Sequence, residues 1–327
     1  MEKIFIGIDV SKETLDICIK TENTFKFEKI ENNVRSVKNF FKRFKSQEDK
    51  VIISMENTGR YNTYLYDVLG KLCFSVYVVN PLHIKKSIGL VRGKDDRTDA
   101  KRIAWFIEKN YKELPLWEKE TEVMSRLKVL QTVRKKRINI KANLRKEQAD
   151  SALMKSIGMD KKTTRLNNKL IAELDRQIKA IEAQIEELVK QDKILNEQAE
   201  RIRTVPGVGK VLCWMMISKT QGFTRMQNPR KMACYAGVVP FDYQSGTSVR
   251  YRPQVSVFAD KDLKRVLHMA AMSAIQSDNE ISRYYVRKVD EGKNKMLVLN
   301  AVRNKIIHRI FAVIKNQTFY QKDLLVS

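Results

Sequence analysis

Four carboxylates in the first hundred residues have the types and spacing for phosphoryl-transfer chemistry. Asp9 interrupts an apolar run between Ile8 and Val10, Glu56 closes the run VIISME, and Asp96 and Asp99 stand three apart in GKDDRTDAKRIAWF. An ionised carboxylate in a buried strand costs several kcal/mol unless it is paired or bound to a cation. Two acids three apart at a helix start share one face. Oxygens drawn from a strand centre, a strand end and a helix face suit a hard divalent ion. Two such ions about 4 Å apart clamp the attacking and leaving oxygens of a phosphodiester. Simpler uses stand beside this one. Asp96 and Asp99 complement a helix N-terminus next to Arg97 and Lys101, and Glu56 caps the NTGRY turn that follows it. Asp95, off the face shared by the other two, fits the simple role best.

The elements that must position these acids read as α/β over residues 1–112. KIFIGIDVS, TLDICIKT and TFKFEKI are short β-branched or alternating runs divided by polar turns, which predicts an antiparallel meander of three strands. Helical VRSVKNFFKRF, strand KVIISME, helix YNTYLYDVLGKL, strand SVYVVNP and amphipathic helix RTDAKRIAWFIEKN follow. The order βββαβαβα is that of ribonuclease H-like folds, and fold order alone does not fix chemistry.

Residues 113–200 read as a basic helix followed by a coiled coil. From Met124 to Lys146 the chain carries nine Lys or Arg and no acid, a composition suited to lying along phosphates. Arg134, Lys135, Lys136, Arg137, Lys141 and Arg145 are the candidate contacts there. Farther on, Ile171, Leu174, Ile178, Ile181, Ile185, Leu188, Asp192, Leu195, Ala199 and Ile202 keep a 3-4 spacing in which Asp192 alone is polar. That is the pattern of a coiled-coil seam, which predicts a homodimer or tetramer joined there. A helix packed within one chain is the plainer reading.

Residues 201–327 hold 22 basic and 8 acidic residues and read as a mainly helical domain. It opens with RIRTVPGVGKVL, a Pro-Gly-Val-Gly turn of the kind found in a helix-hairpin-helix. Its glycines bring backbone N–H groups toward a DNA phosphate, with Lys210 beside them. PRKMACYAGVVPFDYQSGTSVRYRP reads as loop-rich, and KDLKRVLHMAAMSAIQ and KMLVLNAVRNKIIHRIFAVIKN read as helices.

Composition narrows the function. A net charge of +25 over 327 residues points to a polyanionic partner, nucleic acid first. Cys18, Cys73, Cys213 and Cys234 are far apart, and so are His83, His268 and His308. This argues against zinc and for a reducing cytosolic setting. The first apolar run, broken by Asp9, does not read as a signal peptide. No apolar run approaches the roughly 20 residues that span a bilayer.

FIGIDVSKETLDICI, MENTGRY, GKDDRTDAKRIA, TVPGVGKV and YAGVVPFDYQSG occur in this order. Together they resemble, along nearly the whole chain, the transposases of the one-hundred-and-ten family of insertion sequences, the DEDD or bridge-RNA-guided recombinases. The resemblance implies a RuvC-like, ribonuclease H-fold N-terminal domain, with its D-E-D-D set on Asp9, Glu56, Asp96 and Asp99 holding Mg²⁺, or Mn²⁺. It also implies a serine nucleophile in a C-terminal transposase domain, which falls on Ser245, near Thr247 and Ser248. The residues by themselves read Gln244-Ser245-Gly246 as a plain turn. Double-stranded DNA at element ends and target, and a structured guide RNA, are the partners the resemblance implies. One departure is Ala259-Asp260, where family members often carry Gly-Asn; Asp260 can still cap the helix that follows.

Three other functions fit parts of the sequence. A Holliday-junction nuclease would use the same acids with water in place of serine. A sugar-kinase or actin-like ATPase would use GIDVSKETLDICI as a phosphate loop, but no second glycine-rich loop follows. A non-catalytic nucleic-acid scaffold would use the basic helix and coiled coil alone.

Overall fold

The computed structural model describes residues 2–22, 24–87, 96–151, 160–245 and 249–321. It divides into two compact units, Met1–Lys119 and Glu120–Ser327. The N-terminal unit is built on a five-stranded sheet in the order β3-β2-β1-β4-β5. Its strands are β1 (Ile4–Val10), β2 (Thr14–Lys20), β3 (Phe25–Glu31), β4 (Val51–Glu56) and β5 (Ser75–Val79). β1, β2 and β3 form the expected antiparallel meander, while β4 runs parallel to β1 and to β5.

Strand alternation decides what each face carries. On one face Ile6, Ile8, Leu15, Ile17, Ile53 and Met55 form a core with α1 (Val34–Lys42) and α2 (Thr63–Leu69). Asn33 starts α1 by accepting the Ser36 N–H at 2.8 Å. On the other face Phe5, Ile52, Tyr77 and Val79 pack with α3 (Pro81–Ser87) and α4 (Asp96–Asn110). α3 has no counterpart in the sequence reading.

Gly7 is what lets α4 lie on the sheet. A Cβ built there would fall 2.3 Å from the Ala100 carbonyl oxygen and 2.4 Å from the Ala104 nitrogen. Glycine on β1 meeting two alanines one turn apart on α4 gives a backbone-to-backbone approach no larger side chain permits.

The C-terminal unit is helical, with one hairpin. α5 (Glu122–Ser151) and α6 (Asp160–Gln191) lie antiparallel, since Arg134 pairs with Glu182, Lys141 with Asp175, and Gln148 with Asn168. α7 (Lys193–Arg203), α8 (Lys210–Thr220), α9 (Pro229–Tyr235), α10 (Lys261–Ala274), α11 (Glu280–Asp290) and α12 (Lys295–Lys315) follow. Between α9 and α10 stands the antiparallel hairpin of β6 (Phe241–Ser245) and β7 (Val249–Gln254). The hairpin, α9 and α11 fall where the sequence suggested loop, or nothing definite.

The continuous seam expected over 171–202 is not one helix. Asp192, its single polar member, ends the run: its side chain accepts the Leu195 N–H at 3.1 Å and caps α7. Ile185, Leu188, Leu195, Ala199 and Ile202 are buried in the core of this same unit. At these five positions the seam is filled by the chain's own helices, as the plainer intrachain reading has it.

Candidate functional site

Residues on one strand face recur every second position, so α4's side of the sheet reads Phe5, Gly7, Asp9 along β1 and Ile52, Ser54, Glu56 along β4. Both strands thus change from apolar to acidic toward their carboxyl ends. α4 runs the other way, with Ile107 and Ile103 over Phe5, Ala104 and Ala100 over Gly7, and Asp99 beyond them. Three acids from three elements meet at one end of the sheet. Burial first, then the charges of Asp9 and Asp99, push the Glu56 carboxyl above its ordinary value. This push on Glu56 is the electrostatic sign of convergence.

Two further residues shape this end, and the sequence reading passed over both. Asp16 lies directly across from Asp9 in the β1–β2 register and is buried. It is held by Lys29 of β3 at 3.1 Å, so its charge is already answered. Asn62 is fully buried beyond β4. Its Oδ1 accepts the Thr58 N–H at 2.9 Å and the Thr58 hydroxyl at 2.6 Å, and its Nδ2 donates to the Glu56 carbonyl at 2.8 Å. The NTGRY turn is therefore closed by Asn62, and the capping role considered for Glu56 is filled. An Asn six residues after a candidate acid is a signal only once the turn's shape is known.

Asp99 pairs with Arg102 at 2.5 Å, one turn on, in place of Lys101. Lys101 lies over the Phe25 and Trp105 rings, at 4.4 and 4.9 Å from their centroids. Asp96 is the first residue of α4; its side chain, and Asp95 altogether, lie outside the described residues. Among the described residues no three Asp, Glu, His or Cys side chains are assembled as a metal cluster. The donors at this sheet end are all carboxylate oxygens of like charge, a chemistry that suits a hard divalent cation.

In the C-terminal unit, Ser245 is the last residue of β6 and pairs across the hairpin with Val249. Its side chain lies outside the described residues, as do Thr247 and Ser248. At the hairpin's base, Asp260 caps α10 through the N–H groups of Asp262 and Leu263 at 3.1 and 2.9 Å, as expected. Its other oxygen receives Lys219 at 2.7 Å and the Tyr235 hydroxyl at 3.1 Å. Burial works to raise the Asp260 carboxyl, but the Lys219 bond and the Leu263 N–H outweigh it and leave it low. Gly237, at φ +65°, comes so close to Ala259 that a Cβ would stand 2.5 Å from the alanine's own.

The predicted phosphate contacts separate into two groups. Arg134 is bound to Glu182, Lys135 to Asp262 and Lys141 to Asp175, while Arg137 donates to Gln177. Lys136 and Arg145 are exposed. Lys210 is exposed at the start of α8, behind Gly209, where an added Cβ would meet nothing within 4 Å. Gly207, by contrast, has φ +78° and would clash with the Ala270 carbonyl at 2.1 Å. The first glycine of the Gly-Val-Gly turn docks α10; only the second leaves backbone open to a ligand.

Comparison with known proteins gives two family matches. A model for the DEDD transposases of IS110, described as a transposase, matches residues 6–157, and the transposase IS116/IS110/IS902 family matches residues 199–286. The pilin gene-inverting protein of Moraxella lacunata is 28% identical over 333 residues, which cover 99% of this chain and 99% of its own. That of Moraxella bovis is 28% identical over 334 residues, with the same coverage. An uncharacterized 43.6 kDa protein of the insertion element IS110 from Streptomyces coelicolor is 26% identical over 148 residues, 45% of this chain and 35% of its own.

Proposed function

The chain belongs to the IS110 family of transposases and is a DNA-cleaving and rejoining enzyme; on that premise we propose that it divides the chemistry between the acids of its N-terminal sheet and Ser245. The observation that carries the proposal is the convergence of Asp9, Glu56 and Asp99 at one sheet end, with Glu56 pushed up by burial and by the other two. The sheet order β3-β2-β1-β4-β5, mixed as it is, supports a ribonuclease H-like reading of that unit.

Asp9, Glu56, Asp99 and Asp96 would hold the divalent ions the family implies, Mg²⁺ or Mn²⁺. Bound there, such ions neutralise the non-bridging oxygens of the reacting phosphodiester. The Ser245 oxygen would attack phosphorus, its proton passing to a carboxylate of the acidic set from its own or another subunit, and the displaced strand leaving as a hydroxyl. The phosphoserine keeps the energy of the broken ester. Attack by a second strand's hydroxyl then rejoins DNA and restores the serine without a nucleotide cofactor. Neither His268 nor His308 is on the hairpin: they lie on α10 and α12.

Rejoining is favoured over the hydrolysis of a junction nuclease because relatives matching along 99% of both chains are named for inverting a gene, and inversion requires resealed strands. The turn before α8, with Gly209 open and Lys210 exposed, would take a backbone phosphate. A guide RNA would supply sequence recognition in a chain with no evident base-reading motif. Trapping and digesting the protein–DNA adduct tests the chemistry. The adduct is expected on the Ser245 peptide, lost in Ser245→Ala, with strand cleavage at least roughly a thousandfold lower in Asp9→Asn. An adduct on a tyrosine, or full strand rejoining by Ser245→Ala, would sink the reading.

A further inference from the structure

The C-terminal unit contains a buried guanidinium that, among the described residues, pairs with no acid. Arg303 on α12 is 7% exposed, and its Nε is buried without a hydrogen-bond partner. Its Nη2 donates to His268 Nδ1 at 2.7 Å, and its Nη1 donates to Asn300 Oδ1 at 3.3 Å. Both partners are neutral, the imidazole necessarily so, because its Nδ1 accepts. Arg134, Arg203, Lys219 and Arg309 of the same unit each hold a carboxylate. Burial alone draws the Arg303 guanidinium below its ordinary range, with no acid opposing it. An uncompensated buried charge costs several kcal/mol, which a fold retains where an anion arrives to meet it.

The position of Arg303 says where that anion comes from. Asn300, one turn earlier on α12, donates from its Nδ2 to the Val238 carbonyl at 2.6 Å. Val238 stands three residues before β6, so this α12 face is tied to the strand that leads to Ser245. From α10, Lys264 lies one turn before His268, and its Cδ is 3.8 Å from where a Gly237 Cβ would stand. His268, Asn300 and Lys264 are each partly exposed, so the cluster reaches the surface. Of the acids at the start of α10, Asp260 is occupied by Lys219, Tyr235 and the helix cap, and Asp262 by Lys135 and Arg265.

We infer that Arg303 receives a backbone phosphate of the DNA strand handled at the β6–β7 hairpin, with Asn300 and Lys264 beside it. The planar fork of a guanidinium matches the oxygens of a phosphodiester, and an oxyanion there answers the buried charge. The inference rests on the family's action on DNA and not on the identity of the nucleophile.

Salt-dependent binding of a duplex oligonucleotide of arbitrary sequence to the full chain tests it. Arg303→Gln is expected to bind roughly tenfold more weakly, with the slope of log affinity against log salt lowered by about 0.9. Its melting temperature stays level or rises, because the lost charge had no partner. Unchanged affinity and slope in a folded Arg303→Gln overturn the inference, and so does weakening seen only with a structured RNA. If that variant does not fold, Arg303→Lys decides, keeping the charge without the fork: several-fold weaker binding supports the site, and wild-type affinity overturns it. In the unmodified chain, amide exchange of residues 237–240 and of α12 slows on adding duplex; no slowing overturns it. Ser245→Ala, run alongside, keeps the binding and loses the covalent adduct. An adduct that persists there overturns the serine reading alone.

Discussion

At the carboxyl end of the N-terminal sheet, Glu56 is held near Asp9 and Asp99, and burial and their charges raise its cost of ionisation. Along α5 and α6 the same kinds of side chain are arranged to opposite effect, with Arg134, Lys135 and Lys141 each set against an acid. Glu186 illustrates the second pattern. Burial works to raise its carboxyl, yet the bonds from Arg203, and one from Trp214 at 2.8 Å, hold it below its ordinary value. Like charges gathered by backbone geometry are the pattern a cation site would need, although Arg102 already answers part of the charge on Asp99. Opposite charges matched between helices are fastening. Charge density in the sequence does not separate the two.

The comparison breaks most sharply at Gly7. Gly7→Ala puts a methyl inside the contact distance of two α4 backbone atoms. Forcing the helix away should cost about 1–3 kcal/mol and carry Asp99 off the other two acids. Denaturant unfolding and strand cleavage both report it, and cleavage should fall by more than the loss of folded protein explains. A Gly7→Ala chain with wild-type cleavage would separate α4 from the site.

A smaller effect sharpens the electrostatic side. A carboxyl whose folded pKa lies above its unfolded value favours the fold when protonated, and that contribution is lost as pH rises through the folded pKa. Glu56 therefore weakens the fold at neutral pH. Glu56→Gln, with a chelator present, should melt higher than wild type at neutral pH. The difference should close as pH falls below the ordinary Glu value of 4.5. Adding Mg²⁺ should raise the melting temperature of wild type more than that of the variant.

The smallest expected effects divide the basic helix. Arg134→Gln should cost stability by roughly 0.5–1 kcal/mol, through its half-buried pair with Glu182, and change DNA affinity little. Lys136→Gln should leave stability unchanged and lower the salt slope of binding by about 0.9. Equal losses of binding in the two variants would mean that the α5–α6 pairs open on DNA.

Much of the acidic site was legible because strands and helices are local patterns with fixed periods. Asp9 and Glu56 could be placed on strands, and Asp96 and Asp99 at the start of α4, from alternation and spacing alone. What was not legible depends on pairs distant in sequence. Asp16 matters only because the register sets it across from Asp9, and Lys29 answers it from a third strand. Asn62 closes its turn only once Glu56 has ended a strand. The 3-4 seam was legible as apolar, but its C-terminal half is covered by the chain's own helices, since a heptad records which face is buried and not by whom.

By itself, then, the sequence determined the order of the N-terminal elements, the four acids, the basic surplus and the motif series carrying the family resemblance. Tertiary structure decided which charges are spent on folding and which remain for a ligand. It paired Arg134 and Lys141 across a helical hairpin, assigned Gly207 to packing and Gly209 to open backbone, and buried Arg303 against the neutral His268 and Asn300. The physical reason is that a charge's fate depends on what lies within a few ångströms of it, and those neighbours come from parts of the chain that only folding brings together.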